Sequence, residues 1–338
     1  MSAFQSKLNK GQIDLSIIIV NWNSWAYLQK CIMSIMENAD ELKYEIIVVD
    51  NCSSDNSVEN VAVCFPNVIL IKNEKNVGFP AANNQAFNVA RGQYFLMLNP
   101  DTLIKKNTLS HSVLILKNDD SIGCLGVKTL NGNGEILPSC ARSYPTTWNK
   151  FLQIFNIDKI FKKWKFLKSS NIGHWDYNNS RDVDLLHGGY MMFPASIYSK
   201  IDGLDEKIPM FYEDMEYCCR IKKSGFRIHY LADVEIVHFV GMSCSKAEQK
   251  WITSLQYEAD YLYFLEYGGG SRTAFFYVLI ILLCFPFRIL YSPFIWLGYI
   301  IENRKIKKMT LINLQIVIST IWAIRKLRAV TCERLAKK

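Results

Sequence analysis

The sequence lacks the short signatures of several enzyme classes that use a nucleotide. A dinucleotide-dependent oxidoreductase carries a Gly-x-Gly-x-x-Gly turn after its first strand. Here the first apolar run is followed by Asn-Trp-Asn-Ser at residues 21–24, which argues against that class. There is also no Gly-rich basic loop near the start, which argues against a nucleotidyltransferase. The sequence shows no internal repeat of the length that solenoid proteins have.

Paired cysteine spacing and an apolar leader are also missing. The ten cysteines never form a Cys-x-x-Cys pair, and Cys218 directly precedes Cys219. This usage predicts reduced thiols in a cytosolic protein and not a disulfide framework. The first fourteen residues are polar and contain no signal-peptide core, so we expect the catalytic portion to stay in the cytoplasm.

The composition is that of a chain that buries a core and contacts a charged surface. Of 338 residues, 50% are hydrophobic and 21% are charged, which suits one large α/β domain with an appendage. The net charge is +8. Because the basic excess gathers largely in and after the second half, beside long apolar stretches, it indicates an anionic membrane surface as partner and not a nucleic acid.

Strand and helix patterns alternate over the first hundred residues. Continuous β-branched runs predict buried strands at Leu15–Val20, Glu45–Asp50, Val68–Lys72 and Tyr94–Asn99. Helical spacing separates them at Trp25–Asn38, Ser57–Phe65 and Pro80–Ala90. This alternation predicts a parallel, doubly wound sheet of the α/β class.

Polar residues follow three of these strands at the point where each strand ends. In such sheets ligands bind outside the carboxyl ends of the strands. Turn formation and helix capping would explain each position singly, but together they predict a binding crevice. The residues are Asn21 and Asn23, Asp50 and Asn51, and Asn99 and Asp101.

Several groups at this rim suit a nucleoside diphosphate. Asp101 follows a strand and could coordinate a divalent cation that also holds phosphate oxygens. Asp50 could accept hydrogen bonds from a pyrimidine base or a ribose, and Asn76, Gly78 and Asn83 open the next predicted helix. Each position also has an ordinary structural explanation as a turn or a cap.

A second set of candidates lies between residues 184 and 246. Glu213 and Asp214 start a predicted helix, where one carboxylate could act as a general base, although helix capping also explains both. Gly188 and Gly189 lie in an apolar stretch, predicted to be a strand over residues 184–194, and permit close approach of a substrate. Short strands are predicted at Arg227–Leu231 and Val234–His238, and His238, at the end of the second, could ligate the metal or contact the diphosphate.

The tail has the composition of a membrane-associated segment. Residues 273–301 are almost wholly apolar, interrupted by Arg288 and two prolines, which fits a kinked hairpin as well as a clean span. Residues 311–324 fit an interfacial helix. A helical hairpin in a soluble core is the alternative. We therefore divide the chain into a tail at 1–13, a catalytic domain at 14–250 and a helical, membrane-associated region at 251–338.

Taken together, six ordered motifs between Leu15 and Lys246 resemble the second family of inverting glycosyltransferases, which has the GT-A fold, and particularly its bacterial rhamnosyltransferase-like branch. The motifs are Ile19-Val20-Asn21-Trp22-Asn23, Val48-Val49-Asp50-Asn51-Cys52-Ser53-Ser54-Asp55, Asn76-Val77-Gly78-Phe79 with Asn83-Asn84, Asn99-Pro100-Asp101, Gly203-Leu204-Asp205-Glu206, and Phe211-Tyr212-Glu213-Asp214 with Glu216 and Arg220.

The resemblance implies a role for each matching residue. Asp214, with Glu213 beside it, would be the catalytic base, and Asp101 would hold Mg²⁺ or Mn²⁺. The family often has an aspartate where this chain has Asn99. The matching residues expected to contact the nucleotide-sugar are Val20, Asn21, Asn23, Asp50, Asn51, Ser53, Asn76, Gly78, Asn83 and Asn99. Three residues outside the six motifs are added from their positions in the chain: Gly188 and Gly189 to the nucleotide-sugar site, and His238 to the metal site.

The implied reaction is sugar transfer from dTDP-rhamnose or a UDP-hexose. We expect the acceptor to be a hydroxyl of a polyprenyl-diphosphate-linked or other glycan, at the cytoplasmic face of the inner membrane, in assembly of a surface polysaccharide such as O-antigen or capsule. The alternative is a membrane scaffold that binds nucleotide-sugar without turnover.

Overall fold

The computed structural model describes residues 13–39, 41–155, 175–208, 212–239 and 249–283, together with residue 286. Backbone contacts divide the chain into two compact units. The first is Met1–Ser143 with Trp175–Ser243, and the second is Tyr144–His174 with Cys244–Lys338. The division at residues 13 and 250 that the sequence suggested stays a prediction, because compactness alone does not define a catalytic domain.

The first half of the first unit is a parallel, doubly wound layer. The strands are β1 (Ile13–Asn21), β2 (Tyr44–Asp50), β3 (Ile69–Lys72) and β4 (Gly92–Leu98), alternating with the helices α1 (Trp25–Asn38), α2 (Ser57–Cys64) and α3 (Phe79–Val89). All three strand pairings in this half are parallel. The β-branched runs and helical spacing of the sequence therefore predicted these elements and their relative direction correctly.

The second half adds strands of both directions to the same sheet. Its elements are β5 (Thr102–Ile104), α4 (Thr108–Asn118), β6 (Ile122–Leu130), β7 (Ala141–Arg142), α5 (Thr147–Ile154, in the second unit), β8 (Arg181–Val183), β9 (Leu185–Leu186), β10 (Tyr190–Pro194), α6 (Ala195–Ile201), α7 (Glu213–Lys223) and β11 (Arg227–His238). The sheet order is β3-β2-β1-β4-β10-β6-β11-β5, with β8 beside β11. Since β10 runs antiparallel to β4 and β6, the sheet is mixed.

Two strand predictions were wrong in detail. Residues 184–194 do not form one strand: β9 and β10 are separated by the segment His187-Gly188-Gly189. The reason is that β9 pairs with β7 in a separate two-stranded sheet, which the bond from the His187 N–H to Cys140 O (3.2 Å) extends, whereas β10 lies in the main sheet. Between them the Gly189 N–H donates to the His187 ring (2.9 Å). Conversely, the two strands expected at 227–231 and 234–238 are one strand, β11, with a register shift after Leu231.

The core of the first unit lies on both faces of the sheet. Ile17, Ile18 and Ile19 are fully buried, and α1 packs Leu28 and Ile32 into one cluster with Ile17 and Ile19. Burying each such side chain stabilises the fold by roughly 1.5–3 kcal/mol. The packed sheet fixes where each strand ends. It therefore also fixes the positions of the polar segments that follow β1, β2 and β4.

The second unit contains α5, α8 (Gln249–Glu266) and a further helix over residues 271–283. Lys150 Nζ lies 2.7 Å from Asp260 Oδ2, and the Tyr277 hydroxyl donates to the same oxygen at 3.1 Å. Across the described residues, none of the helices combines the length and the apolar character needed to span a bilayer. Most of the apolar stretch 273–301 and all of residues 311–324 lie outside the described part, so the membrane prediction is not tested there.

Candidate active site

The carboxyl ends of β1 and β2 form one hydrogen-bonded corner. Asp50 Oδ1 accepts from Asn21 Nδ2 (2.9 Å), and Asp50 Oδ2 accepts from the Ser53 N–H (2.9 Å). Ser53 Oγ accepts from Asn21 Nδ2 and from the Asn23 N–H. Asn23 adopts a left-handed backbone, with φ of 52°. The predicted residues Asn21, Asn23, Asp50 and Ser53 are thus in mutual contact, and Val20 precedes them on β1, paired with Val49.

Asn51 organises the loop that leads into α3. Its Oδ1 accepts from the Val77 N–H (3.0 Å), and its Nδ2 donates to Asn76 Oδ1 (2.9 Å). Gly78, the N-cap of α3, has φ of 89°, a conformation that favours glycine. The two motifs at Asp50 and at Asn76 therefore form one continuous surface beside β2.

Two buried acceptors at this corner have no partner within the described part of the chain. They are Asn21 Oδ1 and Asn83 Oδ1, on residues that are 0% and 1% exposed. The Asn83 amide nitrogen donates to Phe79 O (2.9 Å) and so orients the side chain. An unsatisfied buried acceptor is costly unless a ligand or water donates to it.

The end of β4 forms a second corner with the end of β11. His238 Nε2 lies 3.1 Å from Asp101 Oδ1 and 3.4 Å from Asn99 Nδ2. Asp101 and His238 are 2% and 3% exposed. Because β11 pairs with β5, His238 lies opposite Thr102, one residue after Asp101. No cluster of three or more His, Cys, Asp or Glu side chains able to hold a metal occurs in the described residues.

The segment His187-Gly188-Gly189 connects the second corner, formed by Asp101 and His238, to the predicted base Asp214. Gly189 O accepts from the Asn99 N–H (3.2 Å), and the Gly188 N–H donates to Asp214 Oδ2 (3.2 Å). The His187 ring lies against the His238 ring, with centroids 5.4 Å apart. A Cβ on Gly189 would approach atoms of both histidine rings at 3.0 Å. A side chain at position 189 would therefore require the two histidine rings to shift.

Asp214 lies at the start of α7 and is 7% exposed. Its Oδ1 accepts from the Met215 N–H (2.7 Å), and its Oδ2 lies 3.7 Å from Arg142 Nη2. Glu213 beside it is also buried. Arg142 Nε is buried without a hydrogen-bond partner in the described residues. The Asp214 carboxylate is thus held by backbone N–H groups and one cation.

Arg142 was missed by the sequence analysis. It follows an irregular segment, and only the pairing of β7 with β9 brings it beside the glycine segment and Asp214. An arginine near an aspartate in space but 72 positions away in sequence leaves no local pattern (214 − 142). The antiparallel pairing Arg142 with Leu185 was not predictable from a two-residue strand.

Burial sets the protonation of two groups here. It lowers the pKa of His187 well below its ordinary value, with further lowering from His238 and Arg142, while Asp214 and Asp101 act in the opposite direction. Burial also raises the pKa of Cys31, whose thiol contacts Asn99 O and Thr102, to about 12. His187 is therefore a neutral ring at neutral pH, and Cys31 is not a nucleophile.

The remaining motif residues act as supports. Arg220 pairs with Glu216 (2.6 Å) and donates to Gly203 O (2.7 Å), and Asn84 exchanges hydrogen bonds with the Leu204 backbone. These contacts fix the segment 203–206 against α3 and α7. Phe211, the first residue of the last motif, lies outside the described residues.

The two corners share one rim of the sheet. Ile19 on β1 pairs with Leu98 on β4, so Asn99 leaves the sheet next to Val20 and Asn21. The predicted nucleotide residues around Asp50, the Asp101 and His238 pair, and Asp214 with Gly188 and Gly189 are therefore gathered at the strand ends. Among the described residues no hydrogen bond joins the Asn83 side chain to Asp101 or Asp214.

Residues 16–174 match the model of glycosyl transferase family 2. Rhamnosyltransferase WbbL of Escherichia coli K12 is 26% identical over 242 residues, covering 66% of this chain and 82% of the relative. The N-acetylglucosaminyl-diphospho-decaprenol L-rhamnosyltransferase of Mycobacterium tuberculosis is 19% identical over 268 residues, covering 76% and 85%. The low-salt glycan biosynthesis hexosyltransferase Agl10 of Haloferax volcanii is 23% identical over 253 residues, covering 74% and 75%.

Solved structures share the fold. The mannosyltransferase PcManGT from Pyrobaculum calidifontis, in complex with GDP-Man and Mn²⁺, superposes with a TM-score of 0.56 at 15% identity, covering 94% of this chain and 91% of that one. S. aureus TarS 1–349 gives 0.51 at 17% identity, covering 91% and 81%. At such identity the likeness shows a mixed α/β, GT-A-like fold alone. The match over residues 16–174 makes that part of the chain similar to glycosyl transferase family 2, and with its relatives the chain is a glycosyltransferase that resembles the rhamnosyltransferases among them.

Proposed function

We propose that this protein transfers a sugar, with inversion, from dTDP-rhamnose or a UDP-hexose to a hydroxyl of a lipid-linked glycan. The observation that carries the proposal is the segment His187-Gly188-Gly189, which contacts Asp214 through the Gly188 N–H and contacts His238, the partner of Asp101, through the His187 ring. A displacement at a sugar carbon needs a base on one side and a site for the leaving diphosphate on the other.

The nucleoside binds beside Asp50 in this proposal. Both Asp50 oxygens already accept one hydrogen bond each, and each keeps a second lone pair for a base N–H or a ribose hydroxyl. The unsatisfied Oδ1 atoms of Asn21 and Asn83 supply two further acceptors. Structural neighbours complexed with UDP and with GDP-Man support nucleotide binding at this fold.

The residues at the second corner fit a divalent cation. Asp101 and His238 offer one carboxylate and one imidazole at 3.1 Å from each other. Cations that serve phosphate chemistry often take only one or two protein ligands, the rest coming from phosphate and water. The Mn²⁺ complexes of two structural neighbours support this assignment, with Mg²⁺ as the other candidate. Such a cation would offset negative charge on the departing nucleoside diphosphate.

Asp214 takes the proton from the acceptor hydroxyl. The acceptor oxygen attacks the anomeric carbon, the bond from that carbon to the diphosphate oxygen breaks, and the electron pair leaves with the diphosphate. Because the backbone N–H groups of Met215 and Gly188 each occupy one site on the carboxylate, the group is oriented while free lone pairs remain. One displacement inverts the anomeric centre.

The composition of the tail and the name of one relative support the proposed acceptor and location. The M. tuberculosis relative is named for an acceptor on diphospho-decaprenol. A basic, apolar C-terminal region would hold the enzyme at the cytoplasmic face of the inner membrane, where polyprenyl-diphosphate glycans are extended. In this proposal the product enters a bacterial surface polysaccharide such as O-antigen or capsule.

The test is transfer from radiolabelled dTDP-rhamnose, UDP-glucose, UDP-galactose and UDP-N-acetylglucosamine into extracted lipid, using membranes that contain the full chain. Asp214→Asn is compared with Asp233→Asn, an exposed aspartate on β11. We expect wild type and Asp233→Asn to label lipid and Asp214→Asn to label at least about a hundredfold less. Full activity of Asp214→Asn contradicts the base assignment. Nucleotide-sugar binding without any transfer by the wild type supports the scaffold alternative.

A further inference from the structure

His187 lies between the two halves of the site and is not explained by the roles assigned above. Its ring is half-buried and packs on the His238 ring at 5.4 Å, and the next residue, Gly188, donates its backbone N–H to Asp214 Oδ2 at 3.2 Å. The backbone N–H of His187 donates to the carbonyl oxygen of Cys140, which directly precedes β7, the strand that carries Arg142. The ring is thus fixed between Asp214 on one side and the pair of Asp101 and His238 on the other.

The hydrogen bond from the Gly189 N–H selects one tautomer of the ring. That N–H donates to His187 Nδ1 at 2.9 Å, so Nδ1 is the acceptor and the ring proton of neutral histidine is on Nε2. Among the described residues Nε2–H has no hydrogen-bond partner. A half-buried donor without a partner at a substrate crevice is available to a ligand.

The position of the ring relative to the two corners identifies that ligand. In an in-line displacement the transferred sugar lies between the base and the departing diphosphate. His187 occupies the same interval, between Asp214 and the Asp101 and His238 pair. We propose that His187 Nε2–H donates a hydrogen bond to a hydroxyl of the transferred sugar and so contributes to the choice of donor. The proposal rests on the proposed function.

A purely structural role for His187 makes a different prediction. If the ring only holds the glycine segment in place, then any side chain with an acceptor at the position of Nδ1 should preserve activity, because it can accept the hydrogen bond from the Gly189 N–H. An asparagine side chain reaches about as far as Nδ1 and can accept from the Gly189 N–H. A glutamine side chain reaches about as far as Nε2 and can donate there. The pair His187→Asn and His187→Gln therefore separates the two roles, with His187→Ala as the loss of both.

The experiment measures two quantities on the full chain in membranes or detergent. The first is the affinity for the nucleoside diphosphate alone and for the matching nucleotide-sugar that the donor panel identifies. The second is kcat/KM for that donor and for deoxy analogues that each lack one sugar hydroxyl. We expect His187→Ala and His187→Asn to lose about tenfold in affinity for the nucleotide-sugar but not for the diphosphate, and His187→Gln to stay within about threefold of wild type.

The deoxy analogues identify the contact. For the analogue that lacks the contacted hydroxyl, wild type and His187→Ala should react at equal rates, because that donor no longer has a group for Nε2–H to bind. Rescue by Asn and not by Gln, or an equal loss of diphosphate binding in every variant, overturns the proposal. Wild-type transfer with unchanged donor preference in His187→Ala overturns it while leaving the proposed function intact. Absence of transfer by the wild type refutes the proposed function itself.

Discussion

Asp214 and Arg142 form the ion pair that most directly affects the proposed base. The guanidinium lies 3.7 Å from Asp214 Oδ2, its side chain is 31% exposed, and its Nε has no hydrogen-bond partner in the described residues. A cation at this distance orients the Asp214 carboxylate. Arg142 is therefore a positioning residue in this account.

We expect Arg142→Gln to lower kcat about tenfold or more, which corresponds to ~1.4 kcal/mol, with little change in KM for the donor. Arg142→Lys should recover part of the loss because it restores the charge without the planar fork. Steady-state transfer kinetics measure this. Arg181→Gln, at an exposed arginine over the Trp175 ring, is the control and should behave as wild type. A raised KM with unchanged kcat would show that Arg142 binds the donor instead.

His238 carries the second residue-scale prediction. If Asp101 and His238 hold the cation, His238→Ala should weaken Mn²⁺ binding in the presence of nucleoside diphosphate by about tenfold or more, since one of two protein ligands is lost. Paramagnetic resonance of free Mn²⁺ measures the affinity. His111→Ala on α4 is the control. Chelation of divalent cations should abolish transfer by the wild type and be reversed by added Mn²⁺ or Mg²⁺. Full activity in excess chelator would contradict the metal assignment.

At the scale of elements, the short connection between β9 and β10 decides the geometry of the site. It places His187 against His238 and brings a backbone N–H to Asp214. Adjacent glycines in it differ sharply in their surroundings. A Cβ on Gly189 would meet both histidine rings at 3.0 Å, whereas a Cβ on Gly188 would meet Asp214 Cβ and Met97 Cε at 3.6 and 3.7 Å, which is ordinary contact.

Gly189→Ala should therefore lower the thermal midpoint by several degrees, consistent with roughly 1–3 kcal/mol of strain, and weaken Mn²⁺ binding because the His238 ring must shift. Gly188→Ala should change the midpoint by little. Calorimetry of both variants with and without nucleoside diphosphate and Mn²⁺ makes the comparison. Equal thermal midpoints for the two variants would show that the His187 and His238 rings can shift without loss of stability.

The same element shows where prediction from sequence stops. The strands β1 to β4 and their helices were predicted because β-branched runs and helical spacing are local properties, and their polar ends were placed at one rim by the geometry of a parallel sheet. The break at residues 187–189 was missed because apolar residues flank it on both sides. The antiparallel direction of β10 and the approach of Arg142 to Asp214 depend on long-range pairing, which leaves no periodic signal.

At the scale of the whole molecule, the charge and the tail predict where the enzyme is found. The net charge is +8, and the apolar residues 273–301 are followed by a basic cluster. The described helix over residues 271–283 exposes Phe275 and Leu283, which are 64% and 55% accessible. An anionic membrane attracts such a chain through both charge and apolar area.

We therefore expect the full chain to sediment with membranes and to remain there after a high-salt wash, because apolar burial is not screened by salt. Fractionation of cells, followed by salt and then alkaline extraction, measures this. Release by salt alone would show that charge is the only attachment. Recovery in the soluble fraction without any wash would contradict the membrane proposal and leave the sugar-transfer chemistry untouched.

The central claim is that Asp214 on one side and the Asp101 and His238 corner on the other carry out a single displacement. The anomeric configuration of the newly attached sugar tests this most directly, measured by nuclear magnetic resonance on product made by the wild-type chain from a donor of known configuration. This account predicts a configuration opposite to that of the donor. A product that keeps the donor's configuration would contradict it, because retention requires two displacements or attack from the face of the departing diphosphate.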